Sequence, residues 1–149
     1  MVWRAISASG PLALVRMEGK YDSKKYVEMI KKNLFYNADC PFPVNSIFQQ
    51  DNAPIRVSYY TSEWLENNDI EVLEWPPQSP DLSPIENIWG LLTQRIYQDG
   101  HQYETPNELW DAIKKEWDNL TAADIAPYYA GMHDRILDVI ETHGKKISH

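Results

Sequence analysis

Phe48-Gln49-Gln50-Asp51-Asn52-Ala53-Pro54 and Ser79-Pro80-Asp81-Leu82-Ser83-Pro84-Ile85-Glu86-Asn87-Ile88-Trp89-Gly90 decide how this chain is read. In the first, Ser46 to Asp51 reads as a short strand that ends on an acid, and Asn52-Ala53-Pro54 stops it. In the second, a Pro-rich loop (Pro76, Pro77, Pro80 and Pro84) leads into a helix from Pro84 to about Tyr97. Proline restricts that loop to few conformations. Asp51 therefore falls at the C-terminal end of a strand and Glu86 in the first turn of a helix.

The rest of the chain fits around these two. Residues 2–7 and 11–18 read as strands about a Ser9-Gly10 turn. Asp22 or Ser23 caps a helix to about Leu34, with Tyr26, Val27, Ile30 and Leu34 on its apolar face. Asp39-Cys40-Pro41-Phe42-Pro43 is a breaker loop. A helix from about Val57 to Asn67 follows, with Tyr60, Trp64 and Leu65 as its apolar positions. Ile70 to Trp75 alternates apolar and acidic residues and reads as a strand. The last third is helical. Thr105 opens a helix striped by Leu109, Ile113, Trp117 and Leu120, and Thr121 opens another, which Pro127 is expected to divide or kink. Strands alternating with helices predict a mixed α/β sheet covered by helices.

Composition narrows the function. The chain has 149 residues, enough for one domain, and it is 43% hydrophobic and 12% aromatic with six Trp, which argues against disorder. Its net charge of −8 opposes a stand-alone nucleic-acid binder, which normally carries a basic face. It leaves room for a carboxylate site that meets nucleic acid through a cation. Cys40 is the sole cysteine, so no internal disulfide forms. No apolar run is long enough to cross a bilayer, and the N-terminus lacks the pattern of a signal peptide.

A strand end and a helix start can meet at one point, and two carboxylates there suit hard divalent cations such as Mg²⁺ or Mn²⁺. In a two-metal site one ion activates the attacking oxygen and the other stabilises the leaving oxygen of a phosphoryl transfer. A plainer reading is also open. Ser83-Pro84-Ile85-Glu86 has the form of a capping box, as does Thr105-Pro106-Asn107-Glu108, where no chemistry is in view. Asp51 alone is an acid before a turn, where Asp is common.

The two quoted blocks resemble the signature blocks of the mariner superfamily of DNA transposases. Trp64-Leu65-Glu66, Glu71-Val72-Leu73-Glu74-Trp75-Pro76 and the opening Val2-Trp3…Ala5-Ile6-Ser7 are similar as well, so the resemblance covers most of the chain to about residue 98. It implies an RNase H-like α/β fold, with a core at about 1–98 and C-terminal helices at about 104–143. It implies a DDE-type catalytic domain for metal-dependent DNA cleavage and strand transfer, with Asp51 as the second acid and Glu86 as the third. The 34 residues between them (52–85), with Glu in third place, resemble the Asp-Asp-Glu branch. Mg²⁺ or Mn²⁺ in a two-metal site, transposon-end DNA as partner and the nucleus as location are implied in the same way.

The resemblance also sets the departures. The first Asp belongs on the first strand of the fold, upstream of the Val2-Trp3 block, and residues 1–149 contain neither that strand nor the N-terminal helix-turn-helix region. The expected consequences are loss of strand transfer by this chain alone and exposed strand edges that favour closure or self-association. A co-opted interaction module or an inert transposon relic is the alternative. Arg4 stands where the family usually has Gly, and Ile55-Arg56 where it usually has His. Asn52, Arg56 and Trp89 are accessory candidates: Arg56 to pair with phosphate or with an acid lacking metal, Trp89 to wall the site three positions after Glu86. No residue is assigned to nucleic-acid binding. His101, His133, His143 and His149 lack zinc-ligand spacing, and Lys31-Lys32 and Lys145-Lys146 read as solvated charge.

Overall fold

The structure, a computed structural model, describes residues 1–37, 42–77 and 79–142. Cys40, most of its breaker loop, His143, His149 and Lys145-Lys146 lie outside the described residues. The chain divides into two compact units, Met1–Trp3 with Val15–Gln78, and Arg4–Leu14 with Ser79–His149.

Strands β1 (Val2–Ser7) and β2 (Gly10–Arg16) form a hairpin, and they are the whole of the named sheet among the described residues. Gly10 opens β2 at φ +138°, a conformation that side-chain-bearing residues rarely adopt. The hairpin ends are tied twice: Met17 N–H donates to the Met1 carbonyl at 2.8 Å, and the Met1 amine to the Met17 carbonyl at 3.2 Å.

In the first unit, α1 (Ser23–Ile30) starts where the sequence places it. The Asp22 carboxylate accepts from the Lys25 N–H at 2.9 Å, and Tyr26, Val27, Met29 and Ile30 are buried. The helix then widens into a π-type turn over Lys31–Phe35, which buries Leu34. Helix α2 (Tyr59–Asn67) begins two residues later than expected. Arg56 and Val57 donate to the Ala53 carbonyl and hold a turn, and Ser58 then caps through the Thr61 N–H. Its buried positions are Thr61 and Leu65, while Tyr60 is exposed.

The expected strands at 46–51 and 70–75 shrink to a single parallel bridge between Phe48 and Val72. Phe48 donates to the Glu71 carbonyl at 2.8 Å and accepts from Leu73 at 2.9 Å. Aromatic packing fixes the segment instead. Phe48 is buried, and the Phe35 ring meets it edge-on at 5.4 Å and lies 4.8 Å from Phe42 and 5.6 Å from Trp64.

In the second unit, α3 (Pro84–Ile96), α4 (Pro106–Asp118) and α5 (Ala122–Ala130) share one core. Ile88, Leu92 and Ile96 recur every four residues on α3 and pack with Ile113, Trp117, Leu120 and Ile125. Burying each of these aliphatic side chains contributes roughly 1.5–3 kcal/mol. Thr121 and Asp124 form a complete capping box at the start of α5. Helix α5 runs through Pro127 without dividing there, and the break comes at Gly131, before α6 (Met132–Glu141). Pro127 is the sixth residue of α5, past the first turn, so its missing N–H forfeits a ladder bond to the Ala123 carbonyl.

Candidate active-site carboxylates

Asp51 lies in the first unit, three residues beyond the Phe48 anchor. Its side chain is 62% exposed. Oδ1 accepts from the Ala53 N–H at 2.9 Å, the Asx turn expected of an acid that ends a strand. The same oxygen meets Arg56 Nη1 at 3.1 Å. Arg56 is only 26% exposed, and its guanidinium lies 5.8 Å from the centre of the Tyr26 ring. Gln50 ties this corner to α1. Its Oε1 accepts from the Tyr26 hydroxyl at 2.8 Å and its Nε2 donates to the Arg56 carbonyl at 3.1 Å. Burial pushes the Tyr26 phenol up to about 12 against the lowering effect of Arg56, so it stays a neutral donor at any ordinary pH. Asn52 turns away from Asp51 and donates to the Trp75 carbonyl at 2.8 Å. Its visible work is to pin the segment that leads into the Pro-rich loop.

Glu86 lies in the first turn of α3, in the second unit. The sequence pattern around it also permits a capping box, and the box does not form. Ser83 makes no side-chain cap hydrogen bond, and only its carbonyl receives the Glu86 N–H, at 3.1 Å. At the matching positions of α4, Thr105 accepts from the Glu108 N–H at 3.2 Å, and Glu108 reaches back to the Glu104 N–H at 3.1 Å. Two near-identical patterns thus use their glutamates differently. Glu108 serves its own helix, and Glu86 points to Arg4 on β1.

The Arg4 Nη2 donates to both Glu86 oxygens, at 3.2 and 3.1 Å. Arg4 is 17% exposed and Glu86 48%. The Arg4 guanidinium also sits 4.5 Å from the Trp89 ring centre, so Trp89 meets the cation that pairs with this carboxylate. The sequence marked Arg4 as an oddity without giving it a partner. A cation at mid-strand, beside an acid at a helix start, is a three-dimensional relation that spacing along the chain does not contain.

Both acids offer carboxylate oxygens to solvent, which suits a hard divalent cation in kind. Each is already engaged by a guanidinium and would have to release it to hold such an ion. Among the described residues no group of three His, Cys, Asp or Glu is placed to hold a metal. A hollow of about 250 Å³, lined by Arg95, His101, Tyr103 and Lys115 among others, contains neither acid. No helix among the described residues is long and apolar enough to cross a membrane.

The backbone belongs to the α/β class with the RNase H-like fold. It matches the catalytic domain of Mos1 transposase, a structure described with raltegravir and Mg, at TM-score 0.77 and 16% identity, over 99% of this chain and 75% of that one. A Mos1 paired-end complex with the left transposon end gives TM-score 0.78 at 17% identity, over 99% of this chain and 44% of that one. The chain belongs to the DDE superfamily endonuclease family, whose model matches residues 1–109. Its relatives include the Tc3 transposase of Caenorhabditis elegans, 32% identical over all of this chain and 45% of that protein. The Tcb1 transposase of Caenorhabditis briggsae is 28% identical over 97% of this chain and 52% of that protein. The chain spans about half the length of these relatives.

Proposed function

We propose that residues 1–149 form part of a transposase catalytic domain acting on transposon-end DNA in the nucleus, with Asp51 and Glu86 as the second and third acids of its three. The observation that carries this reading is that both acids fall inside the family match and keep carboxylate surface open to solvent. Glu86 leaves its capping box open, and Asp51 shows most of its carboxylate to solvent. Asp51 and Glu86 would hold Mg²⁺ or Mn²⁺, which supplies activation of the attacking oxygen and stabilisation of the leaving one. Trp89 and Tyr26 carry the two guanidiniums beside the carboxylates, and Gln50 fixes the turn from which Arg56 projects.

Residues 1–149 supply two acids, so we expect no strand transfer from this stretch by itself. Titration with Mn²⁺ tests the assignment. Binding in the low-millimolar range that disappears in Asp51→Ala and in Glu86→Ala supports it, and binding indifferent to both substitutions overturns it. The two-stranded sheet leaves open edges, where we propose a further strand or a second copy pairs. A light-scattering mass of a single, cooperatively unfolding monomer would count against the second copy.

A further inference from the structure

We infer that Arg4 and Arg56 are built-in counter-cations that compete with a divalent metal for Glu86 and Asp51. The inference rests on the assignment of those two acids as metal ligands. In each unit, separately, the same arrangement recurs. A mostly buried arginine reaches an exposed carboxylate at 3.1 Å while its guanidinium lies near an aromatic ring, Trp89 for Arg4 and Tyr26 for Arg56. The exposures show which partner is fixed. The arginines, at 17% and 26%, are held by the fold, and the carboxylates, at 48% and 62%, stand at its surface.

That asymmetry has a chemical consequence. A lysine on a flexible stem would swing into water when a metal arrived. A planar guanidinium stacked on a ring keeps its charge beside the carboxylate whether or not the carboxylate is bonded to it. An arriving dication therefore loses in two ways. It must compete with an existing ion pair, and it must then sit next to a positive charge that stays. Each pair is partly open to solvent, so the effect is moderate. Neutralising one arginine should raise affinity roughly three- to tenfold, the range for one unit charge about 5 Å from a dication in water once screening by about 0.1 M salt is included.

The test is Mn²⁺ binding to residues 1–149, read by loss of the free-ion electron paramagnetic resonance signal and needing no DNA and no turnover. The variants are Arg4→Gln, Arg56→Gln and the pair together, with Arg4→Lys and Arg56→Lys as charge-retaining controls. Each is first checked for a cooperative thermal transition. Because the two pairs lie in different units, either glutamine variant alone suffices if the other fails to fold. The inference predicts tighter binding in the glutamine variants, with a smaller gain in the lysine variants, whose mobile charge can withdraw when the metal arrives. It also predicts that the gain is lost when Glu86→Gln is added to Arg4→Gln, or Asp51→Asn to Arg56→Gln. Unchanged or weaker binding in the glutamine variants overturns the inference and leaves the acids as ligands. Binding that survives removal of both acids overturns the ligand assignment itself.

Discussion

Replacing Glu86 by Gln should destabilise this chain through Arg4, and a double-mutant cycle measures by how much. Two unit charges about 4 Å apart interact by about 1 kcal/mol in water and about 4 kcal/mol near a protein surface. Arg4 is largely enclosed and Glu86 is half open. Side-chain ordering and desolvation subtract from the Coulomb term, which leaves a coupling of about 1 kcal/mol. Single substitutions do not isolate it. Glu86 also faces the N-terminal end of the α3 dipole, worth roughly 0.3–1 kcal/mol, and Arg4→Gln also loses the Trp89 contact. Comparing wild type, Arg4→Gln, Glu86→Gln and the double variant cancels those separate terms. Urea unfolding followed by tryptophan fluorescence is the assay, with a constant slope required across the four proteins. In a chain of this size 1 kcal/mol moves the melting temperature by roughly 2–4 °C. A coupling below about 0.3 kcal/mol at low salt, or a Glu86→Gln protein more stable than wild type, would refute the reasoning. The second result is what a carboxylate strained by other acids, rather than satisfied by a cation, would give.

Asp124 is held down to about 2 by hydrogen bonds from the Thr121 side chain and backbone, and then by Arg95. Its folded value lies below the unfolded one, so its stabilisation is present above pH 4 and is lost as pH falls towards 2. Asp124→Asn should cost about 1–2 kcal/mol at neutral pH, after allowance for partial exposure, and should flatten acid unfolding between those values. Tyr26 shifts the other way, raised by burial to about 12. Its stabilisation is intact below pH 10 and lost as pH rises to 12, so Tyr26→Phe should remove part of the alkaline unfolding limb. The same change should cost about 1 kcal/mol at pH 7, by leaving Gln50 Oε1 without its donor. Leu92→Ala at the centre of the α3 core should cost about 2–5 kcal/mol in urea unfolding, and a value under about 1 kcal/mol would mean that the core collapses around the gap.

The helices were legible in the sequence wherever a cap and an apolar stripe agreed, as at Asp22 with Tyr26, Val27 and Ile30. The family was legible because long blocks matched in order. The strand endings at Asp51 and Trp75 were less so. Alternation marks a surface suited to pairing, and the ladder itself needs a neighbouring segment in register, which spacing along the chain does not contain. Pro127 was expected to divide or kink its helix, and the division falls four residues later, at Gly131. Glu86 was ambiguous for a deeper reason. The pattern Ser-Pro-Ile-Glu says that the glutamate can cap, and a residue 82 positions away decides whether it does.

Arg135 on α6 is buried, and its Nη1 donates to the Asn87 side chain at 2.7 Å, immediately after Glu86. The family match stops at residue 109, yet Ile88, Leu92 and Ile96 rest on residues as late as Ile125, and the first turn of α3 is braced from position 135. The family model and the packed unit around α3 therefore end at different places in this chain. A truncation drawn at the end of the family model would keep both signature blocks and strip the floor from under Glu86. The smallest piece that can be asked about its chemistry is set by what folds together, and it runs through α6.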